Sequence, residues 1–202
     1  MKKVLFATTN QQKIKRLGFL TDTKLVSLKE LKYEIKEPEE TGKDALDIAI
    51  LKARYYYSCL KVKMPVLSQD DTLKLQVKSQ DDPGNHIKEP VIKKYGEFND
   101  KNAIKYYTDL AKKYGGFIPM YFEYGHAVCF SDGEESIHAR KSRLQGRLVS
   151  EPHENESTKG YFLSAIMQVQ IRGKWKYYSE LTPRELIIAD SGIAKSLSRL
   201  LQ

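Results

Sequence analysis

The pattern of hydrophobic and polar positions predicts that strands and helices alternate in the first half of the chain. A short apolar run at residues 3–7 predicts a buried strand. Asn10 follows this run as a candidate N-cap, and apolar residues spaced three apart then predict a helix. Further buried strands are predicted at residues 65–68 and 73–77, on either side of a polar segment. The polar turn between the first strand and the first helix is a candidate anion site, because helix N-termini present free N–H groups.

A long helix is predicted between these strands, over residues 45–55. Thr41 and Asp44 have the spacing of a capping box at its start. The middle of the segment is apolar on nearly all sides, which indicates a buried helix, and Lys52 lies within it. Because a buried ammonium group needs a counter-charge, we expect Asp70 or a bound phosphate to supply one.

The second half of the chain has the pattern of a β-rich region. A helix is predicted at residues 100–114, and two long strands follow within residues 118–149. Shorter strands are predicted at residues 161–171 and 175–178. Thr182 begins a segment with the cap and proline pattern of a helix start, and a final amphipathic helix follows it. This order of elements indicates an α/β protein.

Composition and charge restrict the classes of protein that fit this chain. With 41% apolar residues, 7 prolines and 12 glycines among 202 residues, it is neither disordered nor of low complexity. The net charge of +8 is shared equally between the two halves, without a basic arm or tail. This distribution argues against a nucleic-acid partner, although a small polyanionic ligand also suits a basic protein.

The apolar runs and the cysteines predict where the protein acts. No run approaches the roughly 20 apolar residues of a spanning helix. The N-terminal apolar run turns polar at Thr8, too early for a secretory signal, so we expect a cytoplasmic protein without a membrane partner. Cys59 and Cys129 form no close motif, which argues against a disulfide scaffold and a cysteine zinc site. The four histidines have no metal-ligand spacing, which favours ordinary surface or core histidines.

Four groups of polar residues fall at predicted strand ends or helix starts. They are Thr8–Asn10 with Lys13, then Glu39–Glu40, then Lys52, and then Asp70–Asp71. In an open α/β sheet, ligands collect outside the carboxyl ends of the strands. Carboxylates suit Mg²⁺, which one or two of them hold together with substrate phosphate, and lysines neutralise the remaining phosphate charge. The groups together predict a phosphate and magnesium site, whereas each alone also fits a cap, a helix-end charge or a turn.

Three blocks of the sequence resemble the inosine triphosphate pyrophosphatase family. They are residues 4–13, residues 39–42 with 49–54, and residues 65–73, in the same order and spacing as in that family. The family hydrolyses non-standard purine nucleoside triphosphates such as ITP, XTP and dITP to the monophosphate and pyrophosphate. The resemblance implies a mixed, twisted sheet with flanking helices and a β-rich second lobe. It also implies a cleft between the lobes, a single two-lobed domain over residues 1–202, and a homodimer.

The resemblance implies a role for each matching polar residue. The triphosphate would be held by Thr8, Asn10, Lys13 and Lys52. Mg²⁺ would be bound by Glu40 and Asp70. Asp70 would also activate the attacking water, with Lys52 as the second catalytic residue. Further substrate contacts are implied at Asp71, Gly160 and Tyr161.

The chain departs from the family pattern at residues 69–72 and in the residues that read the base. Gln69 stands where the family has an acidic residue, and Asp71 and Thr72 stand where it has Ser-Gly. A Phe-Gly-Tyr-Asp motif is represented by residues 159–162, Lys-Gly-Tyr-Phe, without the stacking aromatic and the closing carboxylate. Residues 186–192 lack the lysine and the His-Arg pair of the family. We therefore expect altered base specificity.

Three hypotheses follow from these residues. The first is a Mg²⁺-dependent nucleoside triphosphate pyrophosphohydrolase with altered base specificity. The second is a non-catalytic nucleotide-binding or interaction protein that keeps the phosphate site. The third is a nucleic-acid binder, which rests only on the net charge of +8.

Overall fold

The computed structural model describes residues 3–31, 36–39, 41–60, 64–84, 86–130, 136–153 and 161–202. Across these ranges the chain forms seven strands and six α-helices. The strands are β1 (Lys3–Phe6), β2 (Lys24–Ser27), β3 (Val66–Leu75), β4 (Phe117–Cys129), β5 (Ile137–Val149), β6 (Met167–Ile171) and β7 (Lys174–Tyr177). The helices are α1 (Gln11–Gly18), α2 (Ala45–Leu60), α3 (Glu89–Tyr95), α4 (Asp100–Lys113), α5 (Pro183–Ala189) and α6 (Ser191–Leu201). Within the described ranges, no helix is both long enough and apolar enough to cross a membrane.

The strands form one mixed sheet in the order β2-β1-β3-β4-β5-β6-β7. β1 runs parallel to both β2 and β3, whereas β6 is antiparallel to β5 and to β7. Parallel neighbours need crossover connections, and α1 and α2 lie in the connections around β1. The antiparallel pair β6 and β7 needs only a tight turn, in which Arg172 and Gly173 have φ of 51° and 80°. The predicted α/β class with a mixed sheet is confirmed.

The elements group into two compact units. The first comprises residues 1–72, 123–143 and 190–202, and the second comprises residues 73–122 and 144–189. In the core of the first, Phe6 of β1 and Leu197 of α6 are fully buried. In the core of the second, the rings of Tyr107 and Phe162 stack with centroids 5.6 Å apart. A single two-lobed domain with a cleft between the lobes stays a prediction.

β3 is one continuous strand where the hydrophobic pattern predicts two. It runs from Val66 to Leu75, straight through the polar residues 69–71. The strand continues through the two aspartates because each of them has a lysine partner, so extended backbone leaves neither carboxylate unpaired. β1 ends at Phe6, which pairs with Leu67, so both aspartates lie beyond the carboxyl end of β1.

Other elements differ from prediction where the local pattern is weak. The predicted strand at 161–171 begins only at Met167, because Phe162–Ala165 form a 3₁₀ helix. These residues are all buried, and a short, mostly apolar run does not distinguish a strand from a helix. β2 and α3 were not predicted, since four and seven residues are too few to establish a period.

The start of α2 is capped by a different residue from the one predicted. Asp44 Oδ1 accepts hydrogen bonds from the N–H groups of Leu46 and Asp47, at 2.8 and 3.1 Å. The capping box headed by Thr41 is therefore wrong. The helix begins at Ala45, so the residue directly before it, Asp44, has the N-cap position.

Candidate active site

The turn between β1 and α1 is organised by its own side chains. Asn10 caps α1, and its Oδ1 accepts from the N–H groups of Gln12 and Lys13 at 2.9 and 3.3 Å. The N–H of Asn10 donates to Thr8 Oγ1 at 3.2 Å. Lys13 lies in the first turn of α1. Its positive charge is therefore close to the helix N-terminus, which carries a partial positive charge of its own.

Two lysine–aspartate pairs join β3 to the helices around it. Lys52 of α2 donates to Asp70 Oδ2 at 2.6 Å, and Lys13 of α1 donates to Asp71 Oδ1. Successive side chains of a strand point to opposite faces, so the adjacent aspartates reach different helices. The sequence prediction that Asp70 or a phosphate neutralises Lys52 is confirmed for Asp70.

Both pairs are only partly shielded from solvent. The side chains of Lys52 and Asp70 are 17% and 14% exposed, and those of Lys13 and Asp71 are 28% and 27% exposed. Burial of this degree strengthens the attraction within each pair and still leaves a ligand access to the charged atoms. Asp70 Oδ1 also accepts from the N–H of Asp71 at 2.8 Å, which fixes the carboxylate against its own strand.

The charges around Asp71 keep its carboxyl group ionised. Desolvation raises the pKa of Asp71, but the ammonium of Lys13, its hydrogen bond, and the more distant charges of Arg16 and Lys52 outweigh it. The pKa of Asp71 therefore lies below its ordinary value. The site thus combines ionised carboxylate with two ammonium groups.

The remaining predicted site residues do not all join this cluster. Glu40 and Gly160 lie outside the described residues. Tyr161 belongs to the second unit, where its ring packs edge-on against Tyr178 with centroids 6.0 Å apart. In the described part of the chain, no group of three His, Cys, Asp or Glu side chains is placed to hold a metal ion by itself.

The sequence profile of the Ham1 family matches residues 4–192 of the chain. The chain belongs to the Ham1 family. The resemblance found in the sequence is confirmed at the level of the family. A search of curated proteins gave no match.

Two solved Ham1 proteins and a solved nucleoside-triphosphatase have the same fold as this chain. A HAM1 protein from Coxiella burnetii is 19% identical, with a TM-score of 0.72 over 100% of this chain and 98% of its own. The Ham1 protein of Staphylococcus aureus is 20% identical, with a TM-score of 0.68 over 99% and 98%. A Mycobacterium abscessus protein named nucleoside-triphosphatase / dITP/XTP pyrophosphatase is 23% identical, with a TM-score of 0.62 over 98% of each chain.

This Ham1-family chain also has an ion pair that the sequence analysis did not identify. Arg16 Nε and Nη2 donate to Asp190 Oδ2 and Oδ1 at 2.7 and 2.6 Å. Arg16 Nη1 donates to Tyr124 Oη at 3.0 Å. Asp190 occupies the N-cap position of α6 without capping it, so a pattern search finds an ordinary helix start there. The sequence does show that Arg16 follows Lys13 by three residues, which places Arg16 beside Lys13 on one face of α1.

A buried histidine lies in β4, the strand next to β3. His126 is fully buried, with Nε2 2.8 Å from Ser142 Oγ and Nδ1 3.5 Å from Gln69 Nε2. Burial lowers the pKa of His126 to about 3, and the charges of Arg16 and Lys13 act in the same direction. The imidazole is therefore neutral at ordinary pH. Of the two kinds that the sequence left open, surface or core, His126 is a core histidine.

Gln69 occupies a position where the sequence resemblance implies an acidic residue. Its side chain is buried, and its Oε1 has no hydrogen-bond partner among the described residues. A buried carboxylate at this position would need a cation, whereas the neutral amide only needs a donor. The substitution therefore removes one negative charge from the strand that carries Asp70.

Proposed function

We propose that the protein hydrolyses a nucleoside triphosphate to the monophosphate and pyrophosphate. The observation that carries this proposal is the pair of lysine–aspartate contacts on β3, next to the capped turn at the start of α1. Membership of the Ham1 family supports it, as does the likeness in fold to the Mycobacterium abscessus dITP/XTP pyrophosphatase. A hydrolase of this kind acts on an acid anhydride.

The positive groups of the site would hold the triphosphate. Lys13 and Lys52 present ammonium groups that now face carboxylates, and each would turn toward phosphate oxygens when substrate binds. Thr8 and Asn10 form the turn ahead of α1, where the helix dipole favours an anion. Neutralisation of the leaving pyrophosphate by these groups is worth most during bond cleavage, when its charge grows.

Asp70 would act on the attacking water. The water oxygen forms a bond to the α-phosphorus, the bond to the bridging oxygen of pyrophosphate breaks, and the proton passes to Asp70. Asp70 is fixed by the N–H of Asp71 through one oxygen, which leaves its second oxygen to Lys52 or to a water. A carboxylate held in this way is oriented before substrate arrives.

The donor set also fits Mg²⁺. Asp70 is a partly exposed carboxylate, and Mg²⁺ is commonly held by one or two such groups with substrate phosphate completing the shell. When bound, the ion would polarise the phosphoryl oxygens and offset charge on the leaving group. Asp70 is the first candidate ligand, and Glu40 is the second by resemblance.

The nucleobase of the substrate depends on residues in which this chain departs from the family pattern. ITP, XTP and dITP are the substrates that the sequence resemblance implies, with Gly160 and Tyr161 near the base. The lysine and the His-Arg pair that would read a purine are missing from residues 186–192. A site without those hydrogen-bonding groups discriminates less between bases. The proposal also includes a homodimer and a cytoplasmic location, which rest on the resemblance and on composition.

Pyrophosphate release by the purified protein with Mg²⁺ tests the proposal. The panel includes ITP, XTP, dITP and the ordinary purine and pyrimidine triphosphates. We expect turnover of at least one of them, and Asp70→Asn to lower kcat by about 10² to 10⁴, the range for loss of a general base. Asp47→Asn is the matched control, since Asp47 is an exposed aspartate at the start of α2.

A non-catalytic nucleotide-binding protein is the second candidate. The observation that favours it is that Gln69 replaces an acidic residue of the family directly before Asp70, the proposed general base. If the folded protein binds triphosphates and releases no pyrophosphate with Mg²⁺ or Mn²⁺, the binding function replaces the enzymatic one. An Asp70→Asn variant as active as the wild type would contradict the assigned role of Asp70.

A further inference from the structure

The Arg16–Asp190 pair connects two distant parts of the sequence within the first unit. Arg16 lies near the end of α1, and Asp190 is the single residue between α5 and α6. The Asp190 side chain is fully buried and that of Arg16 is 16% exposed. Two parallel hydrogen bonds of 2.7 and 2.6 Å make the pair bidentate, the geometry that fixes a guanidinium most firmly.

Tyr124 holds the guanidinium from a second direction. Its hydroxyl accepts from Arg16 Nη1 at 3.0 Å, and Arg16 Cζ lies 4.9 Å from the centre of its ring. Tyr124 is itself buried in β4 and stacks on His126 with centroids 6.2 Å apart. Arg16 is thus held by two groups: the carboxylate of Asp190, directly before α6, and the hydroxyl and ring of Tyr124 in the sheet.

The same helix face carries the lysine of the phosphate site. Lys13 precedes Arg16 by three residues in α1, and residues at this spacing are neighbours on a helix surface. Lys13 contacts Asp71, and the charge of Arg16 contributes to the lowered pKa of that same carboxyl. A rotation or shift of α1 that broke the Arg16–Asp190 pair would therefore also move Lys13.

We propose that Arg16 and Asp190 are positioning residues for the phosphate site. They fix the rotation of α1, and so keep Lys13 and the Asn10 cap where a triphosphate meets them. Neither residue needs to touch the substrate. This inference rests on the proposed function, because it takes the triphosphate as the ligand of Lys13.

The Asp190→Asn variant separates positioning from simple electrostatics. It removes a negative charge near an anion site, so electrostatics alone would tighten the binding of an anion. Positioning gives the opposite result, since a loosened α1 no longer presents Lys13. We expect the Kd for inorganic triphosphate, measured by calorimetry, to rise about tenfold, the scale on which misplacement of a binding group is felt.

Two further variants complete the test. Arg16→Gln should weaken triphosphate binding about as much as Asp190→Asn, and the double variant no more than either, because the two residues act through one contact. Lys15→Gln is the control, since it removes a positive charge from an exposed position of the same helix. We expect Lys15→Gln to change the Kd less than about twofold. In turnover, Asp190→Asn should raise KM and also lower kcat, because Lys13 would act on the leaving pyrophosphate as well as on the bound substrate.

Hydrogen exchange of the α1 amides distinguishes the possible failures. Faster exchange in α1 of Asp190→Asn, with unchanged exchange in α4, is expected if the pair fixes the helix. If exchange and triphosphate affinity both match the wild type, the positioning role is wrong. If the wild type itself neither binds nor hydrolyses a triphosphate, the proposed function fails and this inference fails with it. If Asp190→Asn does not fold, Asp190→Glu retains the charge and shifts the carboxylate, and an unchanged Kd in that variant would also overturn the proposal.

Discussion

At the scale of single residues, surroundings set the charge of each side chain in the first unit. Lys52 lies among apolar residues of α2, and its ammonium group pairs with the carboxylate of Asp70. His126 contacts Ser142, and burial keeps its imidazole neutral although the charge of Asp71 favours the protonated form. The lysine–aspartate pairs therefore keep charged groups on β3 and its helices, whereas the buried histidine supplies only hydrogen bonds within the sheet.

His126 should make the protein less stable in mild acid. The unfolded chain binds a proton on this imidazole below pH 6.5, whereas the folded protein does so only near pH 3. Stability is therefore highest above pH 6.5 and falls as the pH is lowered. Between pH 7.5 and 5.5 this group should reduce the free energy of unfolding by about 1.4 kcal/mol.

Urea unfolding at several pH values measures this loss. The His126→Gln variant should lose the dependence between pH 7.5 and 5.5, because it has no group that titrates at this position. His138→Gln is the control, since His138 is exposed, and it should retain the dependence. The same slope in His126→Gln and the wild type would show that another group is responsible.

At the scale of elements, the position of α2 depends on two local features at its start. Asp44 caps the helix and also accepts from Lys141 Nζ at 2.7 Å. Gly125 of β4 lies directly beneath the first turn, where a Cβ would overlap the carbonyl oxygen of Ala45. The cap fixes where α2 begins, and the glycine lets it lie against the sheet, so Lys52 reaches Asp70.

Replacing the observed cap, Asp44, should lower the free energy of unfolding more than replacing Thr41, the cap that the sequence pattern predicts. Asp44→Ala should lower the free energy of unfolding by about 1 kcal/mol, because two N–H groups lose their acceptor. Thr41→Ala should change it by less than about 0.5 kcal/mol, since Thr41 is exposed and outside the helix. Asp44→Asn keeps the cap and loses only the ion pair, so its cost should be smaller than that of Asp44→Ala. Chemical denaturation of the three variants checks this order.

Gly125→Ala should destabilise the protein by about 3 kcal/mol, because backbone atoms of α2 must move away from β4. Gly18→Ala is the matched control, since nothing lies within 4 Å of a Cβ at the end of α1. That change should be neutral or stabilise by up to about 1 kcal/mol. Thermal unfolding of both variants gives the comparison, and equal losses would contradict the close approach of α2.

At the scale of the whole molecule, each unit is assembled from separate parts of the chain. The first unit takes residues 190–202 from the C-terminus, although most of it comes from residues 1–72. α6 carries Ile193, Leu197 and Leu200 into the core of that unit, and Asp190 precedes it. The C-terminal helix thus contributes both apolar packing and the partner of Arg16.

Leu197→Ala should therefore lower the free energy of unfolding of the first unit by about 3 kcal/mol, as expected for a buried leucine. Ser198→Ala, one residue further along α6 and exposed, should leave it within about 0.5 kcal/mol. Urea denaturation followed by circular dichroism measures both. A small effect of Leu197→Ala would mean that α6 is not part of the core.

Several features of the fold were predictable because they depend on neighbouring residues. The cap at Asn10, the box from Thr182 to Glu185 and the apolar face of α4 were all predicted and are present. The demand of Lys52 for a counter-charge was also predictable, since it follows from the apolar residues around it in the sequence. The cap at Asp44 was missed because Thr41 and Asp44 offer equivalent oxygens three residues apart.

The sequence by itself determined the α/β class and most of the helix starts, and it predicted the residues that would bind a phosphate. The tertiary structure decided which aspartate meets which lysine, because side chains alternate along β3 and the helices on each side come from different parts of the chain. It also decided that Arg16 pairs with Asp190, which is 174 residues away. Such contacts have no local signal, since they depend on how the sheet brings distant segments into one unit.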